Sequence, residues 1–163
     1  MFLELLVLLA ALLCGLVAGL LFAFAVVVMP GLRSLDDAGF IRGFQAIDGV
    51  IQRGQALFML MWVGSALAAL GAGAMGAWGL EGVDLMLVIA AMLAYLLGVQ
   101  VPTIVVNVPL NNRLQRLDVA TLEEAALRQA REAFEPSWNR WNAIRTGCAT
   151  LATFLFLLVL LRV

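Results

Sequence analysis

Leu5–Leu32 reads LLVLLAALLCGLVAGLLFAFAVVVMPGL, 28 residues without an Asp, Glu, Lys or Arg. Two further stretches, Gly54–Leu80 of 27 residues and Leu85–Asn112 of 28, are equally free of charge, and Thr146–Leu161 adds a fourth of 16 residues. About 20 apolar residues suffice for a helix to cross the ~30 Å hydrocarbon core of a bilayer. The pattern therefore predicts an all-α integral membrane four-helix bundle with short cytoplasmic amphipathic helices. The spans are expected at about residues 2–29, 55–75, 83–106 and 143–161, with connections at 30–53 and 107–142, all in one domain. The first stretch is read as a retained span: a cleaved leader begins with positive charge and has a shorter apolar segment, whereas the early charge here is Glu4.

Composition narrows the partners. Of the 163 residues 64% are hydrophobic, and mean hydropathy is +1.03, which excludes an ordinary soluble domain. A net charge of −1 offers nothing to a polyanion, so no nucleic acid is expected. Membrane lipid and a hydrophobic or aromatic small molecule are the expected partners, with a homo-oligomer left open. All ten basic residues are Arg, a hint of a GC-rich bacterial genome and so of a bacterial inner membrane. With no His and two isolated cysteines, Cys14 and Cys148, the chain lacks the commonest nitrogen ligand. Neither metal nor other cofactor is expected.

Charge placement sets an orientation. Arg33, Arg42, Arg53, Arg113, Arg116, Arg128, Arg131, Arg140 and Arg145 fall on one side of a four-span arrangement, against Arg162 on the other. Basic residues near span ends accumulate in the cytoplasm. The expectation is a multi-pass protein of the cell membrane with both termini outside and both long connections cytoplasmic.

Along the chain, Met29-Pro30-Gly31 predicts the end of the first helix, and Ala11, Gly15, Gly19 and Ala23 form a small-residue stripe suited to close packing in lipid. Ser34-Leu35-Asp36-Asp37 is a capping sequence for a second helix, on which Phe40, Phe44, Ile47 and Ile51 share a face. Gln45, Asp48 and Gln52 form the neighbouring polar stripe. On a uniform helical wheel Gln100, Thr103, Asn107 and Asn111 fall within about 80° of one another, while Pro102 and Pro109 free backbone carbonyls nearby. Thr121-Leu122-Glu123-Glu124 reads as a capping box, Glu124/Arg128, Arg128/Glu132 and Arg131/Glu135 as i,i+4 pairs, and Pro136 as the start of the last helix.

Two segments carry the chemistry: Asn107-Val-Pro-Leu-Asn111-Asn112-Arg113 and Trp138-Asn139-Arg140-Trp141-Asn142-Ala-Ile-Arg145. In the second, Trp138, Trp141, Asn142 and Arg145 lie on one helical face. Arg145 is only about 24 Å of helix from Arg162, so it either snorkels to the headgroups or turns into the bundle. Each of these residues has a structural reading, since Trp belongs at interfaces and Asn can bond a carbonyl that proline frees. Taken together they converge from three helices at one depth, and intramembrane polar groups mark sites by default. A polar pocket open to the cytoplasmic leaflet is expected.

The segments NVPLNNRL and WNRWNAIRTG, with Met29-Pro30 and Phe44-Gln45-Ala46-Ile47, resemble the DUF1772 (anthrone oxygenase-like) family of small four-span membrane proteins over essentially the whole chain. Its named fungal members are similar to oxygenases that convert anthrones to anthraquinones without metal or flavin. Many members carry His after the Asn of the last motif, where this chain has Ala143. The resemblance implies a cofactor-independent oxygenase. In that reading Asp48 is the base, Arg145, Asn107 and Asn142 stabilise the anion with Asn111, and Trp138 and Trp141 stack on a flat substrate, with Gln45, Gln52 and Gln100 as further binding groups. The alternative is a non-catalytic membrane protein that binds a hydrophobic small molecule or a partner membrane protein. A transporter is disfavoured, because four spans are few, no internal repeat is visible, and no charge lies at the middle of any span.

Overall fold

The computed structural model describes residues 1–162, which form five helices. They are α1 (Phe2–Arg33), α2 (Asp37–Gln52), α3 (Ala56–Gly79), α4 (Gly82–Gln115) and α5 (Glu124–Leu160). All except α2 are long and apolar enough to cross a membrane. The chain is a multi-pass, all-helical membrane protein. α1 packs against α5 and α3, and α4 packs against both of these in turn, which closes a ring of four. α2 caps one end of the ring, where it meets the C-terminal parts of α1 and α4 and the polar part of α5. The α3–α4 turn and both termini lie at the other end, where Arg162 pairs with Asp84.

Proline behaves differently here from the sequence expectation. The first helix does not stop at Met29-Pro30 but continues to Arg33 through a π-turn at Phe24–Val28. The N–H of Met29 donates to the carbonyl of Phe24, one residue further back than in an α-turn. The same device precedes Pro102, where Val101 donates to Leu96, and Pro109, where Val108 donates to Thr103. A proline ring clashes with the carbonyl one turn back and leaves it without a donor. Widening that turn makes room for the ring, and in an apolar medium the helix must continue because no water would satisfy a broken end. Pro136 lies on an exposed face of α5, where water can satisfy the freed carbonyl, and it has no π-turn. Consequently α5 does not begin at Pro136 as expected. It is one helix of 37 residues from Glu124. Thr121 is also not its cap: Glu123 holds the N-cap position, and the Thr121 hydroxyl donates to the Asp118 carbonyl.

The capping reading of α2 is met, since Asp36 accepts from the Gly39 N–H at 2.7 Å. Only Arg53, Gly54 and Gln55 separate α2 from α3, and Gly54 turns the chain with φ +76°. Of the expected pairs, Glu124–Arg128 and Arg131–Glu135 form, whereas Arg128 takes Asp37 at 3.7 Å as its second partner in place of Glu132.

Two cores stack along the bundle. At the end with the termini, small residues such as Ala10, Ala69, Ala72, Ala91, Ala149 and Ala152 are buried among Val7, Val88 and Phe156. Here a Cβ added to Gly98 would lie 2.6 Å from the Cβ of Cys148, and Gly76 is as close to Val88. The expected stripe on α1 takes part only in places: Gly15 faces Thr153, while Gly19 has open space beside it. At the α2 end the core is aromatic, with Phe40, Phe44, Phe134 and Trp138 buried together.

Candidate functional site

Between the two cores lies a cavity of about 250 Å³ whose wall is drawn from all five helices. α1 contributes Leu20, Leu21 and Phe24; α2 contributes Phe44, Asp48, Ile51 and Gln52; α3 contributes Phe58 and Trp62. α4 supplies Thr103, Asn107, Val108, Asn111 and Asn112, and α5 supplies Trp138, Asn142 and Arg145. Aromatic and aliphatic groups make most of the wall, and the polar groups converge from a few positions, the usual make-up of a small-molecule site.

Two polar systems face one another. The first surrounds Asp48, which is 5% exposed. Its carboxylate accepts from Asn111 Nδ2 at 2.8 Å, Gln52 Nε2 at 2.7 Å and Gln115 Nε2 at 2.9 Å. A carboxylate offers about four lone-pair positions, so one is left. The chain of bonds continues outward, because Asn111 Oδ1 accepts from the Trp138 indole N–H at 2.8 Å. α2 holds Asp48 there because Phe44, one helical turn earlier, packs edge-on against Phe134 and Trp138 at 4.6 and 5.6 Å between ring centroids.

The second system is built on Arg145, which turns into the bundle and is 4% exposed. Its Nη1 donates to Thr103 Oγ1 at 2.9 Å and its Nη2 to Asn142 Oδ1 at 3.0 Å. Asn142 Nδ2 in turn donates to the carbonyl of Leu21, at the entry to the α1 π-turn. The guanidinium carbon lies 5.7 Å from the centroid of the Trp138 ring. No carboxylate among the described residues pairs with Arg145. Among the described residues, two buried side-chain polar atoms have no hydrogen-bond partner: Arg145 Nε and Asn107 Oδ1. Both belong to the cavity wall. One is a donor on a cation and the other an acceptor, so a bound hydroxyl could accept from the first and donate to the second, whereas its anion could only accept from Arg145.

Seven of the ten site residues expected from sequence line this cavity: Asp48, Gln52, Asn107, Asn111, Trp138, Asn142 and Arg145. Three do not. The Gln45 amide donates to the carbonyls of Leu114 and Leu117, where it caps the end of α4. Gln100 reaches the Tyr95 hydroxyl at 3.4 Å, beside Ser65, in a separate buried cluster. Trp141 is half-buried off the cavity wall. The reason for Gln100 is the pair of π-turns at Leu96–Gln100 and Thr103–Asn107, each of which carries an extra residue and breaks the phase of a uniform wheel.

The sequence reading passed over Thr103 as a site residue, as well as Gln115 and the rings of Phe24, Phe44, Phe58 and Trp62. Gln115 continues the Asn107–Asn111 spacing by one more turn, and Phe58–Trp62 is an i,i+4 aromatic pair, so both had a signal. Among the described residues no group of three or more His, Cys, Asp or Glu side chains is placed to hold a metal ion.

The model of the anthrone oxygenase family matches residues 48–155, well over half of the chain and thirteen of the seventeen residues of the cavity wall. No curated protein and no solved structure gives a significant match.

Proposed function

We propose, from the premise that this chain belongs to the anthrone oxygenase family, that its cavity binds a flat aromatic substrate with an acidic C–H or O–H and oxidises it with O₂ and no cofactor. One observation carries this reading: a buried guanidinium with no counter-ion among the described residues lines a largely apolar cavity, and its Nε is unpartnered. A buried unpaired charge is strongly unfavourable, so the site is suited to a ligand that brings or develops negative charge.

The chemistry follows from the two polar systems. Asp48 takes a proton from the CH₂ of an anthrone-like substrate. Arg145 and Asn142, with Thr103 holding the guanidinium, stabilise the anion where its oxygen gathers charge. The electron-rich carbanion passes an electron to O₂, and recombination gives a hydroperoxide. Loss of water from it leaves a new C=O, so that one oxygen atom enters the product and the other departs as water. The Phe58–Trp62 stack and Trp138 supply apolar faces for the rings.

The test is O₂ uptake by purified protein with a small panel of anthrones, against a detergent blank. Faster uptake that is lost in Asp48→Asn supports the assignment, and no acceleration rules it out. A non-catalytic holder of the same kind of ligand is the second reading, and the three amides already bonded to Asp48 favour it. It predicts saturable binding without O₂ uptake.

The nine arginines at the α2 end favour an orientation with that end in the cytoplasm and the termini outside, in a bacterial cell membrane. Trp78, at the opposite end, is 92% exposed. A membrane-impermeant maleimide should therefore label Trp78→Cys in intact cells, and labelling only after lysis would reverse the orientation.

A further inference from the structure

The route into the cavity depends on which seams of the bundle are closed. α2 roofs the aqueous end and is tied along its length. Asp37 pairs with Arg131 at 3.1 Å, Gln45 holds the carbonyls of Leu114 and Leu117, and Gln115 answers onto the Gln45 carbonyl. The α1–α3, α1–α5 and α4–α5 seams are packed. The α3–α4 seam is different: it is packed along Gly82–Tyr95, where Ser65 meets Tyr95, thins over Leu96–Gln100, and opens beyond. Phe58 and Trp62 on one side and Val108 on the other border this opening, and all three also line the cavity. Around it Leu57, Leu60, Ile104 and Val105 are between 61% and 72% exposed, an apolar surface at membrane depth that lipid covers.

We infer that the ligand enters sideways from the bilayer through the gap between α3 and α4, and that it is a neutral, membrane-dissolved flat aromatic which ionises only inside. The inference rests on the proposed role of Arg145 and adds the route and the charge state on entry. A permanently charged molecule would have to leave water and cross lipid to reach the gap, at a cost of several kcal/mol. A neutral hydroxyaromatic avoids that barrier and meets its base and its cation only after passing Val108 and Trp62. Asp48 and Arg145 stand on opposite polar systems and do not neutralise one another, so proton and anion have separate places to go.

The test uses the full chain in phosphatidylcholine vesicles without oxygen, with 1,8-dihydroxyanthrone as probe and tryptophan quenching as readout. Wild type should show saturable quenching that Arg145→Met removes. Val108→Phe should slow entry by about tenfold, with Val108→Leu as a milder plug, whereas Gln45→Ala, which loosens the roof, should leave the entry rate unchanged. Anthracene-2-sulfonate added from water should not enter. Faster entry in Gln45→Ala with no effect at Val108, or ready entry of the sulfonate, overturns the route while leaving the site standing. Quenching that is absent from wild type, or indifferent to Arg145→Met, overturns the site reading and the route with it.

Discussion

The two halves of this bundle solve opposite packing problems. At the end with the termini, Ala, Val and Gly let helix backbones approach until no atom can be added, as at Gly98 against Cys148. At the α2 end, aromatic rings and amides hold the helices apart, and a cavity remains. In lipid the first arrangement gains its stability from close contact between small residues, because burial from lipid provides no hydrophobic driving force. The second is possible because α2 and the polar part of α5 lie against water, where rings can be buried in the ordinary way. The tight half should therefore resist added atoms and the wide half should resist lost ones.

Removing a ring at the α2 end is the severest way to break that contrast. Phe134 contacts Phe40, Phe44 and Trp138 at once, so Phe134→Ala is expected to lower stability by about 3–5 kcal/mol and to detach α2. A large fall in the thermal midpoint in detergent would show it. Arg145→Met should do the reverse, with a folded protein at least as stable as wild type, since removing an unpaired buried charge relieves a penalty. Its O₂ uptake with anthrones should nevertheless fall about 10²–10³-fold, the scale of losing one oxyanion donor. If Arg145→Met unfolds, the residue is a structural pin instead.

The tight half is sharpened by addition. Gly98→Ala should cost about 1–3 kcal/mol because Cys148 must move. Gly19→Ala, beside open space, should instead stabilise by up to about 1 kcal/mol through helix propensity. Equal effects at the two positions would mean that the close approach at Gly98 does not exist in the membrane.

The smallest effect concerns acid. Glu135 lies in the polar part of α5, outside its charge-free stretch. Burial raises its carboxyl, but bonds from Arg33 at 2.7 Å and Arg131 at 3.0 Å outweigh this and hold it below the ordinary carboxylate range. A depressed folded pKa contributes stability above the unfolded value of about 4.3, and that contribution disappears as pH falls through the folded value. The midpoint should therefore decline on acidification below pH ~4, and Glu135→Gln should flatten that decline.

How much was legible depended on which forces were local. The four spans, the Asp36 cap and the polar stripes on α2, α4 and α5 were all readable, because charge absence, capping and helical spacing are properties of neighbouring residues. Gln100 was misplaced because a wheel assumes constant pitch, and the π-turns that change it exist only because Pro102 and Pro109 must fit inside a helix that lipid forbids to end. Pro30 misled for the same reason. Phe58 and Trp62 carried a signal as an i,i+4 aromatic pair, but nothing in α3 itself says that the pair faces a cavity wall.

The sequence by itself determined which four helices are long and apolar enough to cross a membrane, since the energy of charge in hydrocarbon is read one residue at a time. Only the tertiary structure decided that Asp48 and Arg145 do not pair, that each has its own amides, and that Val108, Phe58 and Trp62 share one cavity wall with them. Those are distances between helices far apart in the chain, and they follow from packing, which no single segment contains.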